Sequence, residues 1–381
     1  MRRAYLDHAA TTPMHPEAVE AMAPFLGERF GNPTGAHATA RQARTALEDA
    51  REVVAAALGV APGDVVFTSG GTESDNLAVF GVLAALEEPG PVVCAAMEHP
   101  AVLASCRAAG ERFGVEVRKV DSDTDGVVDF GALAAALTPD VSLVSVMTVN
   151  NEIGTVQPVG PVADLVRRRA PGAVLHTDAV QAVPWLDVPA ATAGADLVSV
   201  SAHKFGGPTG VGVLALRRPV PLAPVLFGGG QERERRSGSH DVAGIVATAA
   251  ALGVTVGDRD ATSARVAALR DRLVDGLLAA VGGSVVTGRR EGTVAGHAHL
   301  RFAGIENEAL VVLLDDAGVD ASAGASCSSG ALQPSAVLRS MGMTPGEAVT
   351  GVRFSLGWTT TEDDVDTALA VVPGAVARLR D

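Results

Sequence analysis

The chain has 381 residues, enough for one large domain and a smaller one, and its aromatic content of 3% means that Ala, Val and Leu must build the core. The formal net charge of −14 repels phosphate backbones, so we expect no direct binding of nucleic acid. The longest uncharged stretch of helical pattern, Val242–Gly257, has 16 residues and is too short to span a membrane.

The first 60 residues are predicted to hold a short strand and two helices. The strand lies near Ala4, and the helices cover Glu17–Leu26 and Ala38–Leu58. Gly59 ends the second helix, as glycine commonly does. The chain opens without a basic segment followed by an apolar one, so we expect no signal peptide and a cytoplasmic location.

A predicted strand, Asp64–Ser69, runs directly into a double glycine and the start of a helix. The free backbone N–H groups of such a start and the helix dipole both favour an anion. Gly71 and Thr72 are therefore candidates to bind a phosphate group, and an ordinary capped helix is the alternative.

Between residues 91 and 216, short apolar runs alternate with helical segments. Apolar strands without a polar face are typical of a mostly parallel sheet covered on both faces, so the fold class is predicted to be α/β. The predicted strands are Val92–Ala96, Val115–Val120, Val141–Val149, Val174–Thr177 and Leu197–Val200.

A long Ala- and Val-rich helix is predicted after Asp241, and the remainder is predicted to form a smaller α+β unit. Its strands are expected near Ser284–Val286, Ala298–Phe302 and Val352–Ser355, and its helices near Glu306–Asp316 and Glu362–Arg378.

One lysine follows directly on a predicted strand. The apolar run from Leu197 ends in Ser201, His203 and Lys204, and a glycine-rich turn comes next. Most lysines are solvated surface groups, but a lysine in apolar surroundings has a lowered pKa and becomes a nucleophilic amine that can form a Schiff base. Lys204 is therefore a candidate to hold pyridoxal phosphate as an aldimine.

Other strand ends carry polar groups that suit the same cofactor. Asp178 could pair with a protonated pyridine nitrogen, although capping a helix is the usual role of such a residue. Gln181 could donate to the phenolic oxygen of the ring. His99 could stack on the ring and move protons near neutral pH, and Asn151 could donate to the ring oxygen or to a substrate carboxylate.

Two residues of the C-terminal part are candidates for substrate chemistry. Arg353 stands alone in an apolar strand, and a buried arginine needs an anion such as a substrate carboxylate. Cys327 lies among small residues, whereas Cys94 lies in an apolar strand and Cys106 in a helix. The three cysteines fit neither a disulfide framework nor a zinc site, and Cys327 is the best candidate for a reactive thiol.

These residues fall in motifs that span nearly the whole chain. Taken together and in order, the motifs resemble those of cysteine desulfurases of the NifS/IscS type, in the class V aminotransferase family of fold-type I pyridoxal phosphate enzymes. They include Tyr5-Leu-Asp-His-Ala-Ala-Thr-Thr, Phe67-Thr-Ser-Gly-Gly-Thr-Glu-Ser-Asp-Asn, His176-Thr-Asp-Ala-Val-Gln, Ser201-Ala-His-Lys, Gly324-Ala-Ser-Cys-Ser and Arg353-Phe-Ser-Leu-Gly.

The resemblance implies a division into domains and a set of roles. A large pyridoxal-phosphate domain with a sheet of the seven-stranded type would cover residues 15–255, and a small domain with the catalytic cysteine would cover 1–14 and 256–381. The catalytic residues would be Lys204, Cys327, His99 and Asp178. The cofactor would be held by Gly71, Thr72, His99, Asn151, Asp178, Gln181, Ser201, His203, Lys204 and, from the second subunit of a homodimer, Ser239. Asn151 and Arg353 would bind the substrate carboxylate.

The implied reaction converts L-cysteine to L-alanine and leaves a persulfide on Cys327. The sulfur would pass to an acceptor protein in iron–sulfur cluster assembly or in thio-modification of tRNA or DNA. The desulfurases of bacterial DNA phosphorothioation systems are among the members that the chain resembles. A class V aminotransferase or a selenocysteine lyase on the same fold is the alternative. A further alternative is a catalytically idle scaffold that docks partners.

Overall fold

The computed structural model of the protein describes residues 3–324 and 334–381 and has a seven-stranded sheet at its centre. A short strand, β1 (Ala4–Tyr5), precedes the strands of this sheet. They are β2 (Val65–Thr68), β3 (Val92–Ala95), β4 (Val117–Val120), β5 (Leu143–Ser145), β6 (Val174–Asp178), β7 (Leu197–Ser201) and β8 (Gly212–Leu216). Their order is β2-β8-β7-β6-β5-β3-β4, and β8 runs antiparallel to both of its neighbours. The prediction of a mostly parallel sheet is confirmed.

Both faces of this sheet are buried. Along β3, Val92 and Cys94 join one apolar cluster, whereas Val93 and Ala95 join another. Alternate side chains of a strand point to opposite faces, so the two clusters are the two sides of the sheet. The helices of this part are α1 (Pro16–Met22), α2 (Ala38–Leu58), α3 (Gly71–Ala84), α4 (Pro100–Phe113), α5 (Phe130–Ala136), α6 (Val159–Arg169) and α7 (Val188–Ala191).

The C-terminal part forms a smaller α+β unit. Its three-stranded antiparallel sheet has the order β12-β10-β9, and β1 pairs in parallel with β11. The strands are β9 (Ser284–Val286), β10 (His297–Phe302), β11 (Val319–Asp320) and β12 (Gly351–Ser355). The helices are α8 (Val242–Ala280), α9 (Asn307–Asp316), α10 (Ala336–Ser340), α11 (Pro345–Ala348) and α12 (Glu362–Arg380).

Helix α8 belongs to both units. Its residues from Ile245 to Leu252 pack into the core under the central sheet, and those from Val266 to Leu277 pack into the core of the smaller unit. Among the described helices, α8 is the one that is long and apolar enough to cross a membrane, but 56% of that apolar window is buried inside the protein. We therefore interpret it as a core helix.

The predicted domain boundary after residue 255 lies inside α8. The separate cores on either side support this division, which stays a prediction. Val337, Leu338 and Met341, however, pack into the core of the larger unit although they belong to the predicted small domain.

The predicted strand Val141–Val149 is shorter in the structure, where β5 covers Leu143–Ser145, and the structure also differs from the predictions at one helix and at one strand that was not predicted. The helix predicted over Glu17–Leu26 is α helix only to Met22 and continues as a 3-10 turn, Ala23–Leu26, because Pro24 lacks the N–H that an α helix requires. Strand β8 was missed because its first residue follows a glycine-rich turn. Gly212 is required there: a Cβ atom at this position would lie 2.5–2.6 Å from backbone atoms of Gly70.

Candidate active site

The predicted site residues converge on one cavity of about 340 Å³ at the carboxyl ends of β6 and β7. Such an edge is where ligands bind in open α/β sheets. The predicted residues that line it are Gly71, Thr72, His99, Asn151, Asp178, Gln181, Ser201, His203, Lys204 and Arg353. A larger cavity of about 430 Å³ shares Ala9, Gln181 and Lys204 with it but neither Gly71 nor Thr72, the residues predicted to bind a phosphate group.

Lys204 ends a 3-10 turn, Ala202–Lys204, that directly follows β7. Its Nζ donates to the carbonyl oxygens of Ala9 and Ala10, both at 2.6 Å. Burial, with a smaller contribution from the positive charge of Arg353, lowers the pKa of this amine to about 8. A lysine with this pKa is partly neutral near pH 8 and can act as a nucleophile.

Asp178 is the last residue of β6 and is buried. Its Oδ1 accepts the N–H of Val180 at 2.8 Å. Burial raises the pKa of this carboxyl, and the neighbouring His99 and Lys204 oppose that effect. A buried carboxylate of this kind is stabilised by a cationic partner, and a protonated pyridine nitrogen would provide one.

His99 caps the start of α4, since its Nδ1 accepts the N–H of Ala101 at 3.1 Å. This bond assigns the proton of the neutral ring to Nε2. Burial lowers the pKa of His99, against the effect of Asp178. The ring at the cavity wall is therefore a neutral imidazole, which suits stacking on a flat heteroaromatic ring.

The first turn of α3 forms a cradle for an anion. Gly70, with φ of 151°, offers no capping side chain to the N–H groups of this turn. At Gly71 a Cβ atom would lie 3.0 Å from Val180 Cγ2 and 3.5 Å from Ser201 Cβ, so glycine keeps this space open. With the hydroxyl of Ser201 beside it, the cradle fits a phosphate group.

His203 stands near this cradle, with its Nδ1 3.1 Å from the hydroxyl of Thr11. Burial, together with the charge of Lys204, lowers the pKa of His203 to about 4, so the ring is neutral at neutral pH. Gln181, on the same wall, donates from Nε2 to the carbonyl of Ala9 at 2.8 Å.

Arg353 lies in the middle of β12 and already has an anionic partner. Its Nη2 is 2.6 Å from Asp7 Oδ1, and its Nη1 donates to the carbonyl of Asn151 at 2.8 Å. In the described part of the chain, its Nε has no hydrogen-bond partner. A substrate carboxylate would therefore share the guanidinium with Asp7, a residue that sequence reasoning did not assign.

Two predicted site residues are not among the described residues that line the cavity. Ser239 is exposed and away from it, and its predicted role requires a second subunit. Cys327 lies outside the described residues. The described chain leads towards it from Ser322 and Gly324, which both line the cavity. Cys94 and Cys106 are buried, in agreement with the smaller chemical role predicted for them.

Asp75 of α3 also lines the cavity. Residue patterns do not indicate this, because an acid in the first turns of a helix is usually a surface group. One polar atom each from Asp75, His99 and Asp178 lie within 4.8 Å of one another. A positive charge near the two carboxyls would be stabilised by them.

The chain is similar to known proteins over nearly its full length. Residues 4–368 match the family model described as aminotransferase class-V. The chain is 46% identical to an IscS-like cysteine desulfurase of Mycobacterium tuberculosis, over 99% of this chain and 97% of that protein. It is similar to the solved structure of a NifS-like protein (TM-score 0.92, 34% identity, 99% and 100% coverage). It is also similar to that of SspA in complex with cysteine (TM-score 0.80, 30% identity, 93% and 98% coverage).

Proposed function

The chain belongs to the aminotransferase class-V family and, within it, to the pyridoxal-phosphate-dependent cysteine desulfurases, and on that premise we propose that it converts L-cysteine to L-alanine with a persulfide on Cys327. The observation that carries the proposal is that a half-buried amine, Lys204, and a buried carboxyl, Asp178, line one cavity beside an anion cradle. The solved relative that holds cysteine supports cysteine as the substrate.

The residues of the cavity suit pyridoxal phosphate. When bound, the cofactor supplies an aldehyde that reacts with amines and a ring that withdraws electrons from the substrate Cα. Gly71, Thr72, Ser201 and His203 would hold its phosphate. Asp178 would keep the ring nitrogen protonated.

Lys204 would move the protons of the reaction. Its amine, with a pKa lowered to about 8, is a base of suitable strength to take the Cα proton of cysteine and return it to carbon. Arg353 and Asn151 would orient the substrate carboxylate so that the Cα–H bond faces this amine. His99, neutral and with its Nε2 proton directed away from the α4 cap, would stack on the ring and hold a proton near the substrate thiol.

Cys327 would accept the sulfur of the substrate. Its thiolate would attack the sulfur of the substrate, so that an S–S bond forms while the substrate C–S bond breaks. The carbon keeps the electron pair of the broken bond and is protonated, which gives alanine. The persulfide then passes to an acceptor protein.

We further propose a cytoplasmic homodimer that serves iron–sulfur cluster assembly. The names IscS and NifS of full-length relatives support this pathway. An exposed apolar run next to the Ser239 loop supports a second subunit, since Val225, Leu226 and Phe227 are 44%, 47% and 81% exposed. Thio-modification of tRNA and of DNA, the other pathways expected from the sequence, can be tested by adding their acceptors to the same assay.

The reaction is tested by measuring alanine formed from L-cysteine with a reductant and without any keto acid. We expect alanine and sulfide in equal amounts from the purified protein. Product that forms only when a keto acid is added would indicate an aminotransferase instead. A protein that binds no cofactor and forms no product would indicate a scaffold.

A further inference from the structure

The larger cavity, of about 430 Å³, lies where the two units meet, and we call it the junction cavity. One of its walls is the middle of α8. The buried residues of this helix end at Leu252 and begin again at Val266, so the stretch between them belongs to neither core. Thr255, Arg259 and Thr262, at positions i, i+4 and i+7 of the helix, share one face and line the cavity. Helix α8 thus presents polar side chains to the junction cavity between its two core segments.

The chain has two tryptophans, and both line the junction cavity. Trp185 packs against both cores, and Trp358 follows β12 of the smaller unit. The indole of Trp358 is held in place, since its Nε1 donates to the carbonyl of Pro13 at 3.2 Å and its ring lies 4.4 Å, between centroids, from that of His15. Aromatic residues make up only 3% of the chain, so this wall is unusually rich in flat rings. Such a wall suits a flat aromatic ligand.

One guanidinium of the junction cavity lacks an anionic partner. Arg259 is half-buried, and in the described part of the chain its Nε has no hydrogen-bond partner and no carboxylate forms an ion pair with it. Arg265, the other arginine of the cavity, donates from Nη1 and Nη2 to the carbonyls of Thr360 and Trp358, at 2.5 and 2.7 Å. Arg259 is therefore the arginine that is available to a bound anion.

The charges around the cavity favour an anion with a single negative charge. The exposed acids Glu17 and Asp258 also line the cavity. They would repel a dianion such as phosphate more strongly than a monoanion. A carboxylate needs one guanidinium and matches its parallel N–H groups, of which the Nε of Arg259 is one.

His297 of β10 adds a buried hydrogen-bonding group to the wall. It is 3% exposed, and among the described residues neither of its ring nitrogens has a hydrogen-bond partner. The carbonyl of Asn151 lies near this ring but accepts from Arg353 Nη1, at 2.8 Å. Because buried polar groups are normally hydrogen-bonded, His297 would gain from a polar substituent on a ligand.

We infer that the junction cavity is a binding site for a flat aromatic carboxylate. The ring would lie against Trp185 and Trp358, the carboxylate would pair with Arg259, and a polar substituent would reach His297. The volume of the cavity falls in the usual range for small-molecule sites, about 300–1,000 Å³.

This site adjoins the cofactor cavity but is distinct from it. Among the described residues, Gly71, Asp178 and Arg353 line the cofactor cavity and not the junction cavity. Ala9 and Lys204 line both and stand between them, joined by the hydrogen bond from Lys204 Nζ to the Ala9 carbonyl. A ligand in the junction cavity would therefore contact both units and leave the substrate anchor free. The inference does not depend on the proposed function.

Fluorine NMR of the full-length, cofactor-loaded protein labelled with 5-fluorotryptophan tests this inference, because both of its resonances report on the cavity. The probe is benzoate. Benzamide, which lacks the charge, and cyclohexanecarboxylate, which lacks the flat ring, are the comparison compounds. We expect benzoate to shift both resonances in a saturable way and to bind more tightly than either comparison compound. L-Cysteine is not needed, so an inactive enzyme would not affect the result.

Two variants at matched positions locate the site. Arg259→Gln should weaken the binding of benzoate about tenfold or more, because a hydrogen bond to a charged group is lost. Arg272→Gln, which changes an arginine of the same helix outside the cavity, should bind benzoate as the natural protein does.

Each other outcome contradicts a stated part. Resonances that do not respond to benzoate would overturn the site. Equal binding of benzamide would overturn the role of the carboxylate, and equal binding of cyclohexanecarboxylate would overturn the role of the ring. Binding that is lost in Arg353→Lys but kept in Arg259→Gln would place benzoate in the substrate site instead. The comparison of the three compounds uses the natural protein, so it decides the matter even if Arg259→Gln fails to fold.

Discussion

At the scale of single residues, the site depends on a lysine that loses its hydration shell. The Lys204 amine donates to two backbone carbonyls from the N-terminal turn and lies near both the cation of Arg353 and the carboxylates of Asp178 and Asp7. Burial outweighs these carboxylates, and the pKa falls. The same effect that makes the amine reactive therefore destabilises the folded protein whenever Lys204 is charged.

Because the charged amine of Lys204 destabilises the folded protein, the stability of the cofactor-free protein should depend on pH. The pKa of Lys204 falls from 10.5 to about 8 on folding, so between these values the unfolded chain binds the proton and the folded chain does not. The free energy of unfolding therefore rises with pH through this window, by up to about 3 kcal/mol. Below pH 8 Lys204 is charged in the folded and the unfolded protein, and its burial destabilises the folded protein by this full amount. Lys204→Met should lack this rise in urea unfolding. If the free energies of unfolding of the two proteins changed with pH in parallel, the lowered pKa of Lys204 would be wrong.

The sequence allowed the strand-end residues to be predicted because parallel strands bring their carboxyl ends to one edge. His99, Asp178 and Lys204 follow from that rule alone. Asp7 and Asp75 do not. Asp7 meets Arg353 only because the N-terminal segment bridges to Ser355 of β12, and Asp75 reaches the cavity from a helix rather than from a strand end. Both contacts depend on how elements pack, which residue patterns do not encode locally.

At the scale of elements, the phosphate cradle depends on the close approach of β8 to the turn before α3. β8 lies between β2 and β7, so it sets the distance between the start of α3 and the strand that leads to Lys204. Gly212 permits this approach, since its missing side chain leaves room for the backbone of Gly70. Patterns along the sequence predicted the helix start but not the strand that supports it.

Gly212→Ala should therefore weaken both the fold and the binding of pyridoxal phosphate. The added methyl group forces β8 away from Gly70, and overpacking of this kind costs about 1–3 kcal/mol. Cofactor affinity should fall about tenfold or more, because a displaced α3 start no longer presents its N–H groups correctly; each tenfold loss corresponds to about 1.4 kcal/mol. Urea unfolding and absorbance titration measure the two effects.

The matched control is Gly253→Ala in α8, where an added Cβ meets nothing within 4 Å. This variant should bind the cofactor as the natural protein does and be slightly more stable, because alanine favours helix more than glycine does. If both variants bound the cofactor equally well, the approach of β8 would have no role in the cradle.

At the scale of the whole molecule, the site lies where two cores meet. The larger unit supplies the lysine, the carboxyl and the anion cradle, and the smaller unit supplies Arg353 on β12. Helix α8 packs into both cores, and Arg353 is joined to the N-terminal segment through Asp7 and to the larger unit through Asn151. This arrangement lets the smaller unit place a substrate anchor, Arg353, in the wall of the cavity.

The central claim is that sulfur from L-cysteine reaches Cys327, and mass spectrometry of peptides tests it most directly. The protein is treated with a small amount of L-cysteine without reductant, alkylated, digested and compared with Cys106→Ala and Lys204→Ala. We predict that the peptide with Cys327 gains the mass of one sulfur atom in the natural protein and in Cys106→Ala, but not in Lys204→Ala. Extra sulfur on another cysteine, or on Cys327 without Lys204, would contradict the account.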